Sequence, residues 1–197
     1  MRKGDATRES IVDEALAQAV HVGLKGLSLG ALAESLALSK SGLFAHFKSK
    51  EALQLAVLDE AVKRFMAHVA MPVMKIPEGR ARLEALFKLS LRWMKGEADL
   101  DGCPFMVIAY GLGPKESPLR DKLVASQEEW QAFIASTVSG AIKVRDFKSE
   151  VEPAQFAFEF IGLCLAYQRA LKLGLDRSAL SRANRAFEGM VERASAR

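Results

Sequence analysis

Residues 28–53 read Ser28-Leu-Gly-Ala-Leu-Ala-Glu-Ser-Leu-Ala-Leu-Ser39-Lys-Ser-Gly-Leu-Phe-Ala-His-Phe-Lys-Ser49-Lys-Glu-Ala-Leu53. Three serines punctuate this stretch, and each stands where a hydroxyl can accept an unpaired N–H at the start of a helix. After Ser28, the apolar residues Leu29, Leu32, Ala33 and Leu36 recur at i, i+3, i+4 and i+7, which puts them on one face of a helix. After Ser39, Leu43 and Phe47 form the i, i+4 pair that docks a second short helix onto the first. At about 100° per residue, Ser41, Ala45 and Lys48 point the other way, flanked by Gly42 and Phe44. The outward face of the second helix is thus small, polar and basic, the size and chemistry that a DNA major groove admits.

Working outward, Ile11, Val12, Ala15, Leu16, Ala19 and Val20 form a helical stripe that begins after Thr7 and ends near Gly23 and Gly26. Three helices thereby make a head. Ser49 opens a fourth helix with Glu51 in its first turn, and Leu53, Val57, Ala61 and Phe65 carry it to about Met71, where Pro72 and Pro77 are expected to break it. Further helical patterns lie at 78–95, 103–112, 117–144, 153–173 and 178–194. They are separated by the segment from Gly96 to Gly102, by Gly113-Pro114, by the charged stretch from Arg145 to Glu152, and by Gly174. Nothing alternates as a strand would, so the expected fold is all-α. It comprises a three-helix helix-turn-helix head over residues 1–50 and a helical-bundle body for effector binding and dimerisation over 51–197.

With 197 residues, half of them apolar, the chain can bury one substantial core and a small satellite. Basic residues exceed acidic ones by four, which suits a polyanionic partner. The two cysteines, Cys103 and Cys164, form neither a disulfide framework nor a metal-ligand pattern, which points to packed thiols in a reducing cytoplasm. No apolar run approaches the roughly 20 residues that a membrane-spanning helix needs. His21 and His68 have no ligand-spaced partners, so no metal and no cofactor are expected. Gly111-Leu112-Gly113-Pro114 follows an apolar helix rather than a strand and reads as a helix terminator, not a phosphate loop. No nucleophile, base and orienter occur in a recognisable motif, which argues against an enzyme. The competing readings are a helical small-molecule-binding enzyme and a protein adaptor.

Thr7-Arg8-Glu9, the alanine-rich first helix, Gly23, Leu32-Ala33-Glu34, Leu38 through Phe47 and Lys48 through Leu53 together resemble the N-terminal domain of TetR-family transcriptional regulators. The resemblance is detailed over residues 7–58. It implies a homodimer that binds an operator, usually as a repressor, and releases it when a small molecule enters the body. By position it assigns Lys40, Ser41, Gly42 and Ala45 to the bases, and Ser28, Ser39, His46 and Lys50 to the DNA backbone. Lys48 joins the phosphate contacts by charge. Two positions depart from the family pattern: Ala37 stands where glycine is frequent in the turn, and Phe44 replaces a tyrosine that commonly meets phosphate. Phe44 has no hydroxyl to donate and is left with apolar contact to a sugar or a thymine methyl.

In the body, Phe87, Trp93, Phe105, Met106, Tyr110, Trp130, Phe133, Phe160, Cys164 and Tyr167 all fall on helices. A bundle rich in such side chains can leave an apolar pocket with a few polar groups, the expected site of a small apolar or weakly polar effector. The last two long helices carry two stripes, Phe156, Phe160, Leu163, Tyr167 and Leu171 on one and Leu180, Ala183, Phe187, Met190 and Val191 on the other. These are expected to pair with a second copy, giving a two-fold homodimer matched to a near-palindromic double-stranded DNA operator.

Overall fold

A computed structural model describes residues 3–96, 100, 102–113, 115 and 117–196, with the side chains of all but 3 and 5. The expected helix breaks at Pro114 and over much of 97–101 lie outside the described residues. The chain packs as two compact units: residues 1–64 with 99–126, and residues 65–98 with 127–197. All regular structure among the described residues is helical, apart from one isolated bridge between Phe147 and Ser195. No helix there is long and apolar enough to cross a membrane.

The first unit holds α1 (Lys3–Gly26), α2 (Leu29–Ser35), α3 (Lys40–His46), α4 (Lys50–Phe65, its last residue belonging to the second unit) and α7 (Pro104–Gly111). Its core is aliphatic: Ile11, Leu16, Leu24, Leu32, Leu43, Leu53 and Leu58 are fully buried. α1 starts earlier than its apolar stripe and is interrupted at Gly23, whose φ of 69° and ψ of 165° take the backbone out of the helix. That geometry suits glycine, which has no side chain to clash in the left-handed half of the map.

The second unit begins with a π-helical turn (Met66–Ala70) and α5 (Met71–Met74), followed by α6 (Arg80–Lys95). It also holds most of α8 (Pro118–Lys143), then α9 (Pro153–Leu173) and α10 (Ala179–Ala194). Pro72 does not break the helix as expected; helical backbone continues to Met74. Proline lacks an N–H and its ring crowds the carbonyl four residues back, but here the preceding turn is widened, with the Met71 N–H donating to the Met66 carbonyl. The core of this unit is aromatic. Phe87 stacks on Phe187 with ring centres 4.0 Å apart and meets Phe160 edge-on at 5.2 Å.

Most of the two stripes expected to pair two copies turns inward instead. Phe156, Phe160, Tyr167, Ala183, Phe187, Met190 and Val191 are buried inside their own unit, whereas Leu163 is half-buried and Leu171 and Leu180 are exposed. α9 is apolar almost all round, so periodicity alone could not say which stripe turns inward, and the more aromatic one does. The outward face of α9 instead carries Phe158, Ile161, Gly162, Leu165 and Ala166, with Phe158 68% exposed.

Candidate nucleic-acid interface

Each of the three serines caps the helix it opens. Ser28 Oγ accepts the Ala31 N–H at 3.3 Å, Ser39 Oγ that of Gly42 at 3.0 Å, and Ser49 Oγ that of Ala52 at 3.0 Å. These bonds satisfy donors that the first turn of a helix otherwise leaves open. Between α2 and α3 the chain reverses through Ala37 at φ 52°, with the Leu38 N–H donating to the Ala33 carbonyl at 2.8 Å. This is the left-handed C-terminal turn that usually falls to glycine.

α3 is then held from below. Leu43 and Phe47 are buried, and the Arg8 guanidinium of α1 lies 4.7 Å over the Phe47 ring. Ser41, Phe44, Ala45 and Lys48 are exposed, and Gly42 and His46 are half-exposed. Ser41 and Ser39 hydroxyls lie 3.0 Å apart, so one fixes the direction of the other. A β-carbon on Gly42 would stand 3.1 Å from Ser39 Oγ, crowding the capping hydroxyl. Lys40 folds back over α2: its Nζ would be 3.9 Å from a β-carbon on Gly30, and Ser28 Oγ 3.7 Å from the same point. An ammonium and a capped helix start therefore share one patch, an arrangement suited to a phosphate oxygen.

Lys50 has a role that sequence reasoning missed. Its ammonium donates to the Lys25 carbonyl at 2.9 Å, and Gln54, one turn on, donates to the Leu24 carbonyl at 2.8 Å. The break at Gly23 leaves these carbonyls at the end of α1, and α4 supplies their donors. The i, i+4 spacing of Lys50 and Gln54 was visible; the place where α1 ends against α4 was not.

Of the residues expected to line an effector pocket, Phe87, Trp93, Trp130, Phe133, Phe160, Cys164 and Tyr167 belong to the second unit, while Phe105, Met106 and Tyr110 belong to the first. Phe65 links the two tryptophans, with ring centres 5.3 Å from Trp93 and 4.6 Å from Trp130. Trp130 in turn lies 5.8 Å from Phe133 and 6.4 Å from Phe160. Tyr110 is 82% exposed at the end of α7. Cys103 and Cys164 are buried thiols, as expected.

A capped helix-turn-helix with an outward polar face, carried on an all-helical chain, defines a DNA-binding transcription regulator. Residues 11–57 match the model of bacterial regulatory proteins of the tetR family, and residues 79–187 match the tetracyclin repressor-like C-terminal domain. The chain belongs to the TetR family of transcriptional regulators. No curated relative matches it in sequence. It is similar in fold to a TetR transcriptional regulator from Chloroflexus aurantiacus, with 23% identity, a TM-score of 0.90 and coverage of 99% of this chain and 98% of that one. A TetR-family regulator from Cytophaga hutchinsonii superposes with a TM-score of 0.82 at 19% identity over 100% and 98% of the chains. AibR, solved with isovaleryl coenzyme A and operator DNA, gives a TM-score of 0.73 at 21% identity over 95% and 97%.

Proposed function

We propose that this regulator is a cytoplasmic, homodimeric repressor that binds a near-palindromic DNA operator and leaves it when a small molecule occupies the body. The observation that carries the DNA reading is the two-sidedness of α3: Leu43 and Phe47 are buried, while Ser41, Phe44, Ala45 and Lys48 face solvent together. In this reading Ser41, Gly42 and Ala45 approach base edges and Phe44 a thymine methyl or sugar. Ser28, Ser39, Lys40, His46 and Lys48 hold phosphates and set the register. Lys40 moves to the backbone set because its side chain lies over Gly30. Lys50 contributes by fixing the end of α1, with phosphate contact as a second use of the same charge. The outward apolar face of α9 supplies the two-fold contact, so that two recognition helices meet two half-sites. AibR, of the same fold, was solved with both a small molecule and operator DNA.

Selection of bound fragments from random DNA tests the reading directly. Enrichment of a near-palindrome, with affinity falling steeply as salt rises, is the expected outcome. Failure to enrich any sequence, together with salt-insensitive association to other proteins, overturns it in favour of an adaptor.

A further inference from the structure

Three of the chain's seven methionines fall in one short run, Met66-Ala-His-Val-Ala-Met71-Pro-Val-Met74, at the start of the second unit. All three are exposed, Met66 at 45%, Met71 at 57% and Met74 at 56%, while Val69, Ala70 and Val73 of the same run are buried. In a plain α-helix the step from Met66 to Met71 would turn the chain by about 500°, leaving the two about 140° apart. The π-helical turn removes that offset. With the Met71 N–H donating to the Met66 carbonyl, one turn closes at i+5 and Met71 stands over Met66. Met74 follows Met71 at i+3 in α5, the spacing of neighbours on one face. The turn that accommodates Pro72 thus gathers three thioethers on one solvent-facing side. His68, two residues after Met66, falls off this side.

We infer that Met66, Met71 and Met74 form a three-thioether site for a soft monovalent cation of the copper(I) class. Thioether sulfur is uncharged and polarizable, the donor that soft ions prefer. Each sulfur hangs on three rotatable bonds, so sulfurs rooted one turn apart can meet at a common point. Harder ions are selected against. Residues 61–77 contain no Asp or Glu, so calcium and magnesium find no carboxylate oxygen in the run, and zinc finds neither thiolate nor carboxylate. The exposed Lys75 beside Met74 opposes a dication more than a monovalent ion. Among the described residues no group of three or more His, Cys, Asp or Glu could hold a metal ion; the expectation of no metal rested on such donors and did not weigh thioethers. The site uses none of the residues assigned to DNA or to the effector, so binding here does not rest on the repressor reading.

Nuclear magnetic resonance of the full chain, carrying isotope-labelled methionine methyl groups and titrated with Ag(I), provides the test. Silver shares the charge and softness of copper(I) without its redox chemistry. The Met66, Met71 and Met74 methyl signals should move together with one common midpoint, while that of the buried Met190 stays in place. Because each methyl reports its own surroundings, silver taken up by the buried thiols Cys103 and Cys164 does not register as occupancy of the site. Zn(II) should move none of the three. Met71→Leu keeps the volume and removes the middle sulfur, so it should raise the midpoint at Met66 and Met74 by about ten-fold or more, with circular dichroism unchanged because the position is exposed. Met66→Leu and Met74→Leu should each act in the same way on the two methionines left. Absence of any shift at saturating Ag(I), three separate midpoints, an equal response to Zn(II), or Met71→Leu leaving the other two midpoints in place would overturn the inference.

Discussion

At residue scale, Ala37 shows what the turn of the DNA-binding motif costs. Its φ of 52° lies where a β-carbon is crowded by the following carbonyl, a penalty of about 1–2 kcal/mol for a residue other than glycine. Glycine relieves this but loses more entropy on folding, about 0.5–1 kcal/mol. Ala37→Gly should therefore stabilise the protein by a net of roughly 0.5–1 kcal/mol, read as a higher urea midpoint at unchanged slope. Ala37→Val should lower that midpoint. This strain was legible through the family resemblance, which puts glycine at this turn where the chain has alanine. Lys50 was legible only as a charge. Its bond to the Lys25 carbonyl predicts that Lys50→Ala costs about 0.5–1.5 kcal/mol of stability. Lys48 makes no such bond among the described residues, so Lys48→Ala should leave the melting transition in place and lower the salt slope of DNA binding by about one. A stability loss at Lys48 and none at Lys50 would reverse the two roles.

At the scale of elements, helix positions follow the apolar periodicity closely, whereas the devices that start and brace helices come from distant residues. α6 begins at Arg80 without a local side-chain cap; instead Asp146, beyond the end of α8, accepts the Arg80 N–H at 2.8 Å. Gly79 makes room for it, since a β-carbon there would overlap the Asp146 carboxylate, and its φ of 134° already excludes most side chains. Asp146→Ala should cost about 1 kcal/mol, the usual worth of an N-cap. Gly79→Ala should cost more, because it adds backbone strain to the displaced cap, and thermal melts of both variants check the order. No sequence signal joins positions 66 residues apart. A second brace ties α1 to α4: Arg64 bonds Asp13 at 2.6 Å and Glu60 at 3.0 Å, while Glu60 also takes Lys63 at 3.0 Å. Burial pushes the Glu60 carboxyl up, but the hydrogen bonds and charges of Lys63 and Arg64 outweigh it and hold the group below its ordinary value of 4.5. A carboxyl lowered on folding adds stability above its unfolded value, and that stability disappears as pH falls through the folded value. The melting-temperature gap between the native chain and Glu60→Gln should accordingly be full at neutral pH and close as pH drops below about 4.5; a gap independent of pH would remove the ion pairs from the account.

For the whole molecule, the proposed homodimer raises the question of which surface joins two copies. The order of helices was readable from caps and breakers, but the return of 99–126 to the first compact unit was not, and neither was which face of α9 is left outward, because α9 presents apolar residues in more than one direction. Burial separates them: Phe156, Phe160 and Tyr167 are spent on the core, and Phe158, Ile161, Gly162, Leu165 and Ala166 are left outward. Gly162 and Ala166 are one turn apart and small, so a partner helix can approach closely there, while Phe158 and Leu165 supply apolar area. Arg193 of α10 lies 3.8 Å from Glu159, which places the polar rim of the face along the α9–α10 edge. Ala166→Arg sets a long charge at the centre of this face without touching the core, and Phe158→Ser removes much of its exposed apolar area. Sedimentation should show both variants shifting toward monomer at micromolar concentration, with the circular dichroism of the native chain. Their affinity for a full operator should fall toward that for a single half-site, since each head then binds without the effective concentration supplied by its twin. Should Ala166→Arg remain a dimer with undiminished operator affinity, the two-fold contact must lie elsewhere than on α9.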